Sequence, residues 1–196
     1  MSDTKGFIEE FINTLEIQGD ESFSDLLDFI LAKARRLTMA EAGTVFICEP
    51  LLTDQSNTLR CQVAQNDEVK IEQESFTLPI DPYSIAGYTA SHCETLKIDD
   101  LYNMESGKPF EFNPAFDKRY GYKSVSMLSV PIKNVKNEAI GVIQLLNHLP
   151  EAGSEERCVP FRDEDKKNME GLSFIIGMMI EHAALMEEVQ RLKNRY

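Results

Sequence analysis

Two apolar runs, residues 127–132 and 139–146, dominate the hydrophobic pattern of the chain, and a short polar connection separates them. Both runs are rich in β-branched residues, so they are predicted to form a pair of antiparallel strands. Because neither run alternates between apolar and polar positions, both faces should be covered, as in the centre of a sheet flanked by helices. Pro131 removes one backbone donor and predicts a strand end or a bulge nearby.

Shorter patterns predict the other elements. Apolar residues at helical spacing indicate helices over residues 5–17, about 22–37, and from about 162 towards the C-terminus. Strands are predicted at residues 44–48, 58–64, 75–80 and around 96–98, with the third at a sheet edge because of Pro79. Ser84 is expected to cap a helix over 85–92, and a short helix over 114–120 should end at Gly121.

Together these elements predict an α+β fold with a central antiparallel sheet of five or six strands. Helices are expected on one side of the sheet, and a pocket under a lid on the other. The predicted organisation is an N-terminal helix over residues 1–20, one domain over 21–180, and a C-terminal signalling or coiled-coil tail over 181–196. A chain of 196 residues fits one such domain better than two.

The net charge of the chain limits the partners that can be expected. With 33 acidic and 20 basic residues, the formal net charge is −13. Such a field repels nucleic-acid backbones and anionic membrane surfaces, so neither is an expected partner. A small anion can still be held locally by backbone donors at a helix start. With no recognisable signal peptide and no apolar run of about 20 residues, the protein is expected to be soluble and cytoplasmic.

The cysteines and the absent motifs argue against catalysis. Four cysteines are scattered without a CxxC pair, namely Cys48, Cys61, Cys93 and Cys158. Reduced thiols are therefore expected in place of a zinc site or a disulfide framework. No common hydrolase, metalloprotease or P-loop motif is present. The chain is predicted to be non-enzymatic and to need no metal or cofactor.

An ordered set of motifs resembles the GAF domain family of small-molecule sensors, over roughly residues 24–180. The matching segments are I-A-G-Y at 85–88, N-P-A-F-D-K-R-Y-G-Y at 113–122, S-V-P-I at 129–132 and G-V-I-Q-L-L-N at 141–147. The resemblance is to domains associated with cyclic-nucleotide phosphodiesterases, adenylyl cyclases and bacterial HD-GYP proteins. An enzymatic branch, the free methionine sulfoxide reductases, uses paired cysteines near the pocket, and the cysteines here do not follow a matching pattern.

The resemblance implies a ligand between the sheet and the short helices. Its implied contacts are Phe46 as a stacking ring, the backbone of Ala86, and the side chains of Asp117, Tyr120, Ser124 and Gln144. These groups can donate to and accept from the edge of a nucleotide base. The same side chains have a structural alternative, in which Gln144 bridges sheet and lid, Asp117 caps a turn and Tyr120 fills the core.

A second motif bears on the ligand. Cyclic-nucleotide-binding members of the family usually carry an N-K-x(n)-F-x-x-x-D-E signature. Here Asn147, Phe161 and Asp165 match, whereas His148 replaces the lysine and Lys166 the final glutamate. The lysine–aspartate pair of the family would become His148–Asp165, with a cation only partly charged at neutral pH. This departure weakens the expectation of a cyclic nucleotide but not that of the fold.

The resemblance also implies a homodimer that passes a signal to an output domain such as HD-GYP or GGDEF. The predicted dimer contacts are Ile8, Phe11, Ile12 and Leu15 in the first helix and Leu172, Ile176, Met179 and Met186 in the last. The predicted function is therefore a regulatory sensor of a small molecule, with a cyclic nucleotide as the leading candidate. The alternatives are a ligand-free dimerisation scaffold and a redox or thiol-based enzyme, which alteration of Cys93 would test. For the terminal helices, the alternative is a monomer in which they only cover the sheet.

Overall fold

The computed structural model describes residues 22–51, 57–71, 76–151 and 153–194. The helices are α1 (Phe23–Leu37), α2 (Ile85–His92), α3 (Ala115–Tyr120) and α4 (Asp163–Lys193). The strands are β1 (Ala40–Glu49), β2 (Thr58–Asn66), β3 (Thr77–Pro79), β4 (Leu96–Ile98), β5 (Met127–Lys133) and β6 (Ala139–His148). The predicted helix over residues 5–17 lies outside the described residues, and so do its proposed dimer contacts Ile8, Phe11, Ile12 and Leu15.

The sheet has six strands in the order β3-β2-β1-β6-β5-β4, and each neighbouring pair is antiparallel. The predicted hairpin is β5 and β6, which pair from Met127 opposite Leu146 to Lys133 opposite Ala139. A register shift follows Ile132, one residue after the proline that predicted an irregularity. The predicted α+β fold with a central antiparallel sheet is confirmed.

Helices α1 and α4 cover one face of the sheet. Every second residue of the central strands points to this face, including Val45, Val130 and Ile143, and these side chains form the main core with the two helices. The start of α1 is fixed by a capping box in which Ser22 and Asp25 bond reciprocally. Each of the two helices thus presents an apolar stripe to the sheet.

The stripe of α4 that faces the sheet corrects part of the dimer prediction. Leu172 and Ile176 are fully buried in the core of their own chain, so neither side chain is available to a second chain. Met179 packs partly against the same core. Of the dimer residues predicted on α4, Met186 is the exposed one, at 55%.

Small residues let α4 lie directly on β5. A Cβ atom added at Gly177 would overlap the backbone oxygen of Lys133, and the Ser173 hydroxyl donates a hydrogen bond to the Pro131 carbonyl. By length and composition α4 is also apolar enough to cross a membrane, with mean hydropathy of 1.3 over its most apolar window. A helix buried in a protein core passes the same test, and residues in the first half of α4 pack in the core of this domain.

Helix α2 and the segment from 99 to 126 cover the other face. Ser84 caps α2 by accepting a hydrogen bond from the Gly87 N–H through its hydroxyl. Gly87 packs so closely on the turn at 79–81 that a side chain there would overlap the backbone oxygens of Pro79 and Asp81. The 99–126 segment contains α3, which ends at Gly121 in a left-handed conformation, as predicted. This segment is called the lid below.

Candidate functional site

A cavity of about 640 Å³ lies between the sheet, the start of α2 and the lid. The structure places all of the predicted ligand contacts on its wall, namely Phe46, Ala86, Asp117, Tyr120, Ser124 and Gln144. The volume falls within the range typical of pockets for small molecules. That these residues touch a ligand stays a prediction.

Strand alternation builds a polar row at the floor of the cavity, and Thr44 and Gln144 are the members that line the cavity itself. Thr44 of β1 pairs with Gln144 of β6, and Gln144 pairs with Ser129 of β5. The Gln144 amide donates to the Ser129 hydroxyl over 3.4 Å, and the Thr89 hydroxyl of α2 lies 2.8 Å from the same oxygen. No other partner occupies the Gln144 amide within the described part of the chain. The row is therefore held in place while retaining groups that can bond a ligand.

Apolar side chains form the wall beside this row. The rings of Phe46 and Phe76 meet edge to face with centroids 5.9 Å apart, and Leu78 and Met127 also line the cavity. Cys61 lines it too, and burial raises the pKa of its thiol to about 11. At neutral pH this thiol is protonated, so it acts as a small apolar contact and not as a nucleophile.

Two groups at the cavity suit an anion. Ala86 lies in the first turn of α2, where N–H groups lack partners within the helix; its own N–H has no partner among the described residues. Arg119 of α3 is the one lysine or arginine among the described lining residues, and its guanidinium lies 5.3 Å from the ring centroid of Tyr120. A helix start and a nearby cation together attract negative charge.

Asp117 has a structural role that its position in the motif did not reveal. Its buried carboxylate accepts hydrogen bonds from the Tyr102 hydroxyl at 2.8 Å, the Ser124 N–H at 2.7 Å and the Ser124 hydroxyl at 2.8 Å. These donors come from both sides of α3 in the lid. The carboxylate therefore clamps the lid together, which agrees with the structural alternative considered for this residue.

Asn147 of the second motif belongs to a buried network beneath the lid. Its amide donates to the Glu41 carboxylate at 2.9 Å and to the Tyr122 hydroxyl at 2.8 Å. The Tyr122 hydroxyl donates to Glu41 at 2.5 Å, and burial with this carboxylate raises the pKa of Tyr122. Arg157 reaches Glu41 from outside at 3.4 Å. The network ties the ends of β1 and β6 to the base of the lid.

The rest of that motif supports the start of α4. His148 Nδ1 lies 3.9 Å from Asp165, but it donates to the Thr38 carbonyl at 2.7 Å. Asp165 instead accepts from the Arg162 backbone at 2.9 Å and from its guanidinium at 2.8 and 3.0 Å. Phe161 packs against the His148 ring, with centroids 5.4 Å apart. Arg162, three residues before Asp165, thus neutralises this buried carboxylate. In the family motif, a lysine at the position of His148 would pair with it.

Motif comparison missed several polar residues that line the cavity. They are Thr44, Gln62, Gln65, Asn66, Glu111 and Arg119. Alternation was an available signal, because Thr44 is two positions before Phe46 on the same strand face. Within the ranges that the structure describes, no group of three or more histidine, cysteine, aspartate or glutamate side chains is arranged to hold a metal ion.

Solved structures share this fold. The GAF domain of a phosphoenolpyruvate-protein phosphotransferase from Coxiella burnetii superposes with a TM-score of 0.67 at 14% identity, over 95% of this chain and 98% of that one. The free methionine-R-sulfoxide reductase of Neisseria meningitidis, solved with its substrate, gives a TM-score of 0.63 at 12% identity, over 93% and 91%. At these identities the likeness shows the fold alone.

Curated relatives are much longer proteins. A dual cyclic-AMP and cyclic-GMP phosphodiesterase 11A of Takifugu rubripes is 36% identical over 52% of this chain and 10% of its own length. A dual cyclic-AMP and cyclic-GMP phosphodiesterase 11 of Drosophila melanogaster is 25% identical over 93% of this chain and 12% of its own length. The chain therefore spans about a tenth of these relatives.

The family model for the GAF domain matches residues 22–180. This match covers the sheet, the lid, the cavity and most of α4. The chain therefore belongs to the GAF domain family, which includes regulatory modules that sense small molecules.

Proposed function

We propose that the domain binds a cyclic nucleotide in the cavity and transmits the bound state through its helices. The observation that carries the proposal is that one cavity gathers a polar row, two phenylalanine rings and the N-terminal end of a helix, a feature suited to an anion. The phosphodiesterase relatives, whose names state that they act on cyclic AMP and cyclic GMP, support this ligand class. The identity of the output domain, for which HD-GYP and GGDEF are the predicted candidates, stays a prediction.

Each part of a cyclic nucleotide has a chemical counterpart in the cavity. The base is flat and apolar on its faces, which suits Phe46, and polar at its edge, which suits Gln144 and Thr44. The cyclic phosphate is an anion, and the Ala86 N–H at the start of α2 together with Arg119 provides complementary donors. Since the chain as a whole carries a charge of −13, this local arrangement is needed to hold a phosphate at all.

The first test is a thermal-shift and calorimetric titration of the purified protein with cyclic AMP, cyclic GMP and cyclic di-GMP. A ligand present at about a hundred times its dissociation constant adds about 2.7 kcal/mol to the free energy of unfolding. A shift with one nucleotide supports the proposal. If none of the three binds at millimolar concentration, the ligand class is wrong and the ligand-free scaffold becomes the better interpretation.

A pair of charge variants on α3 locates the phosphate. Arg119 and Lys118 are neighbours and both are exposed, but only Arg119 lines the cavity. Arg119→Gln should weaken binding about tenfold, because one charge-assisted hydrogen bond to the anion is lost. Lys118→Gln removes the same charge and should leave affinity within about twofold. Equal losses in both variants would mean that Arg119 acts only through the general field of the protein.

A further inference from the structure

A bulge in β2 exchanges the faces of the last residues of this strand. The strand carries one extra residue, Gln62, where its pairing with β1 shifts register. Cys61 before the bulge lines the cavity, whereas Val63 after it packs in the main core. Because positions two apart on a strand share a face, the even-numbered residues after the bulge face the cavity, and Asn66 comes to line it.

Asn66 carries a buried hydrogen-bond donor that has no acceptor. Its Oδ1 accepts the N–H groups of Glu68 at 2.8 Å and of Val69 at 3.0 Å. These two donors fix the orientation of the amide, because a flipped amide would set its NH₂ group against both of them. Nδ2 is therefore the free end of the side chain, and it is buried without a partner in the described part of the chain. Buried donors are almost always paired, so this one calls for an acceptor from outside the chain.

The position of Asn66 in the cavity wall distinguishes it from the other unpaired buried atom. Among the described residues, that other atom is Nε of Arg35. Arg35 does not line the cavity, and its remaining nitrogens contact Gln65, the Glu41 carbonyl and Asp67. Within the same residues, Asn66 therefore holds the one unpaired buried donor that a ligand in the cavity can reach.

We propose that Asn66 Nδ2 donates to the O6 and N7 atoms of a 6-oxopurine base, so that the cavity prefers cyclic GMP to cyclic AMP. This preference rests on the proposed function and refines it. Guanine presents two adjacent acceptors, O6 and N7, along one edge, whereas adenine presents the N7 acceptor beside the N6 amino donor. An NH₂ group with two unpaired hydrogens matches the guanine edge, but against adenine it meets a second donor.

The polar row places a base within reach of Asn66. Ala42 pairs with Asn66, and Thr44, two residues further along β1, pairs with Gln144. Two positions on a strand are separated by about 6.6 Å, a distance that a purine can bridge. With Nε2 donating to Ser129, Gln144 keeps Oε1 to accept from N1–H, a donor that guanine carries and adenine lacks. Donor and acceptor on the cavity wall thus follow the order of groups around guanine.

The first measurement compares three nucleotides on the full chain and needs no variant. Calorimetric titrations with cyclic GMP, cyclic AMP and cyclic IMP separate the groups of the base, because hypoxanthine has the O6 and N7 acceptors of guanine without its N2 amino group. Cyclic GMP should bind about tenfold more tightly than cyclic AMP, or better, which is the discrimination of one good bidentate pair. Cyclic IMP should also bind more tightly than cyclic AMP.

Asn66→Asp reverses the polarity of the free end and keeps its shape. Oδ1 can still accept from Glu68 and Val69, so the turn after β2 is retained, whereas Oδ2 replaces the donor by an acceptor. At pH 8, where a carboxylate is ionised, the preference for cyclic GMP over cyclic AMP should fall about tenfold or more. The affinity ratio is the readout, because the new negative charge repels the phosphate of both nucleotides alike.

Asn113→Asp is the matched control for the added charge. Asn113 also lines the cavity, and its Oδ1 also accepts a backbone N–H, from Ala115 at 3.0 Å. Asn113 is exposed, however, and carries no buried unpaired donor. The control adds the same charge to the same cavity, so it should leave the affinity ratio unchanged. Urea unfolding of both variants verifies that each is folded.

Several results would overturn the assignment of Asn66. They are equal affinity of the wild type for cyclic GMP and cyclic AMP, cyclic IMP binding no better than cyclic AMP, and a ratio that Asn66→Asp leaves unchanged or that Asn113→Asp alters equally. In each case a cyclic nucleotide still binds, so the proposed function stands. If none of the three nucleotides binds at millimolar concentration, the proposed function fails and the base preference fails with it.

Discussion

Replacing Asp117 by alanine should loosen the lid. The carboxylate accepts three hydrogen bonds, two of them from Ser124, whose side chain is 2% exposed. A buried donor left without a partner costs about 1–3 kcal/mol, so the two Ser124 donors together predict a loss of about 3 kcal/mol. Tyr102 is half exposed and can turn its hydroxyl to water, so its share is small.

The loss should be local, because the clamp joins the two ends of the lid and leaves the main core untouched. Hydrogen exchange at the Ser124 amide is therefore the sensitive assay, with urea unfolding as the global measure. Exchange at this amide should accelerate by about two orders of magnitude, which corresponds to 3 kcal/mol at about 1.4 kcal/mol per tenfold change. Ligand affinity should fall with it, because an open lid no longer completes the cavity.

Two tyrosine variants separate the clamp from a direct ligand contact. Tyr102→Phe removes one hydrogen-bond donor to Asp117, and Tyr102 does not line the cavity. This variant should accelerate exchange at Ser124 and weaken ligand binding, but less than Asp117→Ala does. Tyr83→Phe changes an exposed tyrosine outside the clamp and should have no effect. If Asp117→Ala abolishes binding while exchange at Ser124 stays at the wild-type rate, Asp117 is a ligand contact and the clamp argument is wrong.

Three further predictions follow from the packing and the titrating groups. Gly177→Ala should lower the free energy of unfolding in urea by more than about 3 kcal/mol, because the new Cβ would overlap the β5 backbone. Gly171→Ala is the control: its Cβ meets open space, so it should raise the free energy of unfolding by up to about 1 kcal/mol. Arg162→Ala should cost about 2–3 kcal/mol because it uncovers a fully buried carboxylate. Arg191→Ala breaks a solvent-exposed pair and should leave the urea midpoint unchanged. Alkylation of Cys61, followed by mass spectrometry at pH 8, should be about a hundredfold slower in the folded chain than in the unfolded chain, because burial raises the pKa of the thiol from 9.0 to about 11. The stabilisation linked to this pKa shift is fully present below pH 9 and is lost as the pH rises towards 11.

The fold was predictable where local pattern and tertiary environment agree. The β5–β6 hairpin has β-branched residues on both faces, and a polar connection marks its turn. The strand β1 was predicted only from residue 44, although it begins at Ala40. Its first residues are alanines, a glutamate and a glycine, which do not favour strands, and pairing with β2 and β6 supplies the hydrogen bonds that hold them there.

The orientation of α4 was not predictable from its pattern. The helix carries an apolar stripe on each of two sides, and periodicity gives both the same weight. Contact with the sheet selects the side that carries Ser173 and Gly177, because only small residues allow the helix to approach β5 so closely. The dimer prediction consequently used Leu172 and Ile176, which the structure buries.

Six of the cavity's lining residues were predictable from the sequence, but the separate roles of these side chains were not. Positions two apart on a strand share a face, so Gln144 and its strand partners could be assigned to one wall. Whether Asp117 binds a ligand or other parts of the lid depends on donors from Tyr102 and Ser124, which are 15 and 7 residues away in the chain. No local pattern records such a convergence of loop residues.

Strand β5 provides a direct physical link between the cavity and α4. The Ser129 hydroxyl accepts a hydrogen bond from Gln144, which lines the cavity, and two residues later the Pro131 carbonyl accepts from Ser173. The backbone of Lys133 then lies against Gly177 without room for a side chain. Because close-packed interiors transmit strain, we expect a displacement of β5 to reach α4. A ligand can drive that movement only if it binds more tightly in one arrangement of the two elements than in the other.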